Sequence, residues 1–109
     1  MAFTEGSNDG ALNGTTAVTI VAAPAASTRR LVKTITIHNC DTAEVTVTLQ
    51  FVNDASIRKL GKFTVGVDET LIWNDPLILD ATTKSIKAVM SGAPATTQPD
   101  FTSHYGDVA

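Results

Sequence analysis

The sequence predicts an all-β fold: a single-domain antiparallel β-sandwich, jelly-roll or Ig-like, of about eight short strands. Three observations carry this. Residues 35–51, ITIHNCDTAEVTVTLQF, hold two runs in which apolar and polar residues alternate strictly. Turn signals recur along the chain at roughly 8–12-residue spacing. No window carries a 3.6-residue apolar period, and β-branched threonine, which favours strands over helices, is abundant.

The elements follow in order. Residues 1–14 hold three Gly, two Asn, Ser, Asp and Glu, with Phe3 and Leu12 as the large apolar groups. That composition reads as a flexible N-terminal arm, leaving 15–109 as the sandwich. Phe3 and Leu12 are its candidate partner-contacting anchors. Residues 15–23 are the first strand candidate, ended by Pro24. Residues 30–38 and 44–52 are the next two, read as a hairpin closed by the turn Asn39-Cys40-Asp41-Thr42. Residues 57–65 are a weaker strand, with Gly61 marking a bulge or a close backbone approach. Short strands are expected at 69–73, 77–79, 84–90 and 100–108, separated by polar, Gly- and Pro-containing turns. Shared-face alternation predicts a core containing Ile35, Ile37, Val45, Val47, Leu49, Phe51, Leu71 and Trp73.

Composition narrows the function classes. At 109 residues, 43% apolar and 17% charged, the chain can bury a core and is too apolar for disorder. A net charge of −3 argues against nucleic acid as a partner, which needs clustered Lys and Arg. Arg58, Lys59 and Lys62 form the one basic cluster and read as a solvated strand edge. Cys40 is the sole cysteine, so no intramolecular disulfide forms, and synthesis in a reducing cytoplasm is expected. No secretion signal is read at the start. The longest apolar stretch, 17–26, falls well short of the ~20 residues that cross a bilayer, so no membrane partner is expected.

Chemistry leaves little trace. His38, Cys40 and Asp41 lie close in sequence. Catalytic Cys–His pairs, however, are assembled from distant segments, and a zinc site needs four ligands. His104 has no partner pattern. Asp68, Glu69, Asp75 and Asp80 could converge on Ca²⁺, but they lack the spacing of a known calcium loop and suit turns for backbone reasons. Trp73 follows Leu71 on one face and is expected in the core rather than as a sugar platform. No phosphate loop or nucleophile motif is present in the sequence. No catalytic, cofactor or metal residue is therefore assigned, and no enzymatic activity or cofactor is expected.

Over residues 30–108 the order of elements resembles small β-sandwich virion accessory proteins of tailed bacteriophages. ITIHNCD leads into EVTVTLQF; VGVDETLIW, NDPLILDATTKSIKAVM and FTSHYGDV follow. The family pattern often has Gly before the Glu-Thr pair, where this chain has Asp68. The resemblance implies a capsid decoration or cement subunit, with a neck or tail component as the alternative. It implies no functional residue. The partners it implies are other virion proteins, either the major capsid protein or neck and tail subunits, together with further copies of the chain on the particle. A carbohydrate-binding module is the third reading.

Overall fold

The computed structural model describes residues 3–109. Nine strands fill them: β1 (Phe3–Ala11), β2 (Val18–Val21), β3 (Arg29–His38), β4 (Val45–Asn53), β5 (Ser56–Val65), β6 (Thr70–Trp73), β7 (Leu77–Leu79), β8 (Lys84–Met90) and β9 (Asp100–Val108). No helix occurs among the described residues. One sheet runs β1-β9-β3-β6, with β7 also paired to β3; the other runs β2-β8-β4-β5.

β6 and β7 occupy one strand position, against opposite halves of β3. Pro76 sits in the break between them and has no N–H to give to a ladder. With those two counted together, the pairs β4–β5, β3–β6/β7, β2–β8 and β1–β9 are the rungs of one long antiparallel ribbon. Its tip is the two-residue turn Asp54-Ala55, where Asp54 takes a left-handed φ of 56°. Rolling the ribbon lays β9 along β3 and β8 along β4. The result is a jelly roll.

The expected hairpin between residues 30–38 and 44–52 does not form. β3 and β4 belong to different sheets and face each other across the core. Alternation tells which face of a strand is buried but not which strand lies beside it. Both apolar faces are satisfied when residues 39–44 cross the ~10 Å between sheets.

Bulges tune the interior. β5 carries an extra residue at Leu60, beside Gly61, as expected. In β3 the extra residue is Lys33, so Val32 and Ile35 both point inward despite their odd spacing. In β2 it is Ile20, whose carbonyl is released from the ladder. Ser103 Oγ (2.8 Å) and Asn8 Nδ2 (3.2 Å) donate to that carbonyl from the facing sheet. Among the described residues no buried side-chain nitrogen or oxygen lacks a partner.

Ile35, Ile37, Val45, Val47 and Leu49 are buried as expected, while Phe51, Leu71 and Trp73 pack half-buried against them. Ile20, Val32, Leu79, Ile86, Met90 and Phe101 complete much of the core.

The expected flexible arm is also corrected. Phe3–Ala11 pairs with β9 along its whole length, and Leu12 is buried in the core. Met1 and Ala2 lie outside the described residues. The physical reason lies in the glycines. A Cβ on Gly6 would stand 2.7 Å from the Tyr105 ring, and one on Gly10 would stand 2.9 Å from the Phe101 ring. Bare inward positions on β1 give large aromatics of β9 their room. A strand can therefore form here with almost no apolar side chains of its own.

Candidate interaction surfaces

One end of the sandwich is held by two buried polar residues that follow β3. Asn39 is fully buried, and its Oδ1 accepts the N–H of Asp41 at 2.8 Å. Its amide nitrogen donates to the carbonyls of Ala43, Val65 and Gly66 at 2.9, 3.0 and 3.1 Å. Asp41 is 4% exposed. It accepts the N–H groups of Ala95 (2.7 Å), Thr96 (2.8 Å) and Thr42 (2.8 Å), and the Thr96 hydroxyl (3.0 Å). Desolvation pushes this carboxyl up, but the converging donors outweigh it and hold Asp41 well below the usual carboxylate range. The β3–β4, β5–β6 and β8–β9 loops thereby become one rigid cap. A cleft of about 280 Å³ between residues 41–46 and 90–95 is lined by this cap. The carboxylate of Asp41 is already engaged there by backbone donors.

The sequence candidates separate in space. His38 lies on the outer face of its sheet, its ring nitrogens 2.7 Å from the Thr70 hydroxyl and 3.1 Å from Asp68. Cys40 is exposed and its thiol points at Asp100, 3.4 Å away. Desolvation and that carboxylate push the thiol above its usual range. The anion beside Cys40 is thus Asp100 from β9, whereas its sequence neighbour Asp41 is turned to backbone donors. His104 is exposed on the outer face, opposite Ser7 and Thr34.

The turn acids do not converge. Asp68 and Glu69 precede β6 at one end of β3, whereas Asp80 follows β7 at the other. Asp80 is committed to Lys84 at 2.6 Å. Among the described residues no group of three or more His, Cys, Asp or Glu side chains is placed to hold a metal. Trp73 is no free platform: it meets Phe63 edge-on with centroids 6.1 Å apart, and its Nε1 donates to the Asp75 carbonyl at 3.0 Å.

The opposite end is closed by a residue that the sequence reading passed over. Arg30 makes a two-pronged contact with its cross-strand neighbour Asp107 at 2.8 and 3.0 Å. It also donates to the Ala22 carbonyl beyond β2 at 2.7 Å, and its guanidinium lies 4.0 Å over the Tyr105 ring. It ties the two sheets together.

What remains open are the edges. Phe3 is 56% exposed on β1, with Lys33 Nζ 5.3 Å from its ring centroid. Leu12 is 2% exposed and serves the chain's own core, so of the two expected anchors only Phe3 is available to a partner. Among the described residues Ile57, Val67, Ile72 and Ile78 are the other exposed large apolar side chains, and all four flank the β5–β6/β7 side. Between β5 and β6 runs a groove of about 330 Å³ with Phe63, Val65 and Leu71 in its lining and Lys62 and Glu69 beside them.

No family model and no curated protein matches the chain. Solved structures do. A chain from the structure of Bacillus endospore appendages, described as a novel family of disulfide-linked pili, has a TM-score of 0.55 at 11% identity, with 99% of this chain and 87% of that one covered. The crystal structure of PirA gives 0.54 at 17% identity, covering 91% and 92%. A chain of the cyanophage Pam1 capsid asymmetric unit gives 0.42 at 16%, covering 97% and 82%. At these identities the first two likenesses bear on the fold alone: other chains share it over most of their length.

Proposed function

We propose that this chain is a non-enzymatic virion structural subunit, a capsid decoration or cement protein that docks on the major capsid shell. On this reading it is made in the host cytoplasm and works on the particle. The observation that carries the proposal is the set of exposed apolar side chains on a domain whose core closes without them: Phe3, Ile57, Val67, Ile72 and Ile78. Four of them flank the β5–β6/β7 side and Phe3 lies on the opposite, β1 edge; exposed apolar side chains with charged neighbours suit protein–protein contacts. The sequence pattern over residues 30–108 supports the virion setting.

A neck or tail adaptor is the second reading, and the same edges would serve it. The test is to purify particles and map the chain on them. Copies spread over the whole shell match decoration. Copies confined to one vertex or to the tail move the assignment to the adaptor. Purified particles that contain none overturn both.

A further inference from the structure

We infer that copies of this chain associate head-to-tail, the β1 edge of one copy lying against the β5–β6 edge of the next. This deepens the structural-subunit reading and rests on it for its setting, though the contact itself involves only the chain.

Both edges are unpaired strands of similar length. β1 has nine residues and β5 has ten, or about 30 Å each at the usual rise. They lie on opposite sides of the sandwich, since β1 lies against β2 on one side and β5 against β6 on the other. Their chemistry is complementary. β1 presents Glu5 and Asp9 outward with the exposed ring of Phe3. β5 presents Lys59 and Lys62 outward, opposite Gln50 and Thr48. Among the described residues neither lysine is in an ion pair, and Glu5 has only a loose one, 3.7 Å from Lys33.

Lysine on an edge strand is a common guard against edge pairing. Here the guard is selective. Lysines repel a second β5, and carboxylates repel a second β1, so both symmetric edge dimers are disfavoured. The mixed pairing joins opposite charges. Such a contact is heterologous, so it continues into a ring or a filament.

Sedimentation velocity on the purified full-length chain tests this. Wild type should associate with rising concentration at low salt and dissociate in ~1 M salt, where screening reaches ~3 Å. Lys59→Glu with Lys62→Glu should weaken association about tenfold or more, and so should Glu5→Lys with Asp9→Lys. Mixing the two variants should restore it, because each supplies the charge that the other lacks. Circular dichroism confirms that each variant keeps its fold. Oxidising a Cys40→Ser chain carrying Ser7→Cys and Lys62→Cys, outward positions near the middle of the two strands, should give a ladder of oligomers. A wild type that stays monomeric, reversals without effect, a mixture no better than its parts, or a product that stops at the dimer would each overturn the inference. Binding to particles is measured separately. A chain that self-associates but leaves particles bare contradicts the virion assignment and not the edge contact. A chain that coats particles yet never self-associates does the reverse.

Discussion

At the scale of single residues, the fold rests on apolar side chains with no exposure and on a few polar ones with every bond made. Leu49 is wholly buried at the centre of β4, between β5 and β8. Replacing it with Ala removes buried surface and leaves a cavity, so chemical denaturation should read a loss of about 2–5 kcal/mol. Asp41 works differently. Its carboxyl titrates lower in the folded chain than the ordinary 3.8, so the unfolded chain takes up protons first as pH falls. The stability Asp41 contributes is therefore present above about pH 3.8 and is lost progressively below it. Asp41→Asn should lower the melting temperature at pH 7 and flatten its acid dependence in that window. Cys40→Ser should leave melting temperature and association unchanged, because a hydroxyl can make the same approach to Asp100. The residue scale was only partly legible in sequence. The buried face of each strand could be read from alternation. The partners of Asp41 could not, since Ala95 and Thr96 lie far along the chain and no local pattern links them.

Among the elements, β1 is the instructive case. Its composition, FTEGSNDGA, looks like a tail because the usual strand signal is apolar alternation. Here the inward positions hold Gly6 and Gly10 so that Tyr105 and Phe101 of β9 can fill the space. The apolar contribution belongs to the partner strand, out of reach of a local reading. Gly6→Ala should therefore destabilise by about 1–3 kcal/mol through overpacking against Tyr105, itself held under Arg30. Gly106→Ala is the control. The atom it meets is the exposed ring of Phe3, which can swing into solvent, so the change should stay within about 0.5 kcal/mol. Hydrogen exchange should show β1 as the least protected long strand and the central strands β3, β4 and β8 as the most protected. The hairpin reading of 35–51 failed for a related reason. Period-two alternation specifies a face, and a six-residue link can turn back beside its strand or cross to the other sheet. Asn39, bonded to Val65 and Gly66, secures the crossing.

The whole molecule is an elongated jelly roll, 46 × 26 × 19 Å, capped by the Asn39–Asp41 network at one end and by Arg30–Asp107 at the other. The all-β class and the boundaries of most strands followed from alternation and turn residues. The order of strands within sheets came from pairings between distant segments and was not in any local pattern. With the ends closed, the long edges are the surfaces left for partners. Deleting the first strand would remove Leu12 from the core and uncover β9, so point changes test the edges better. The proposal made above puts the partner contact on the exposed edges rather than in a pocket. The most direct test is saturation binding of the purified chain to particles that lack it, comparing wild type with Phe3→Ser and Ile72→Asp. Saturable binding by the wild type and clearly weaker occupancy by the folded edge variants are expected. No binding by the wild type, or full occupancy by both variants, would contradict the proposal.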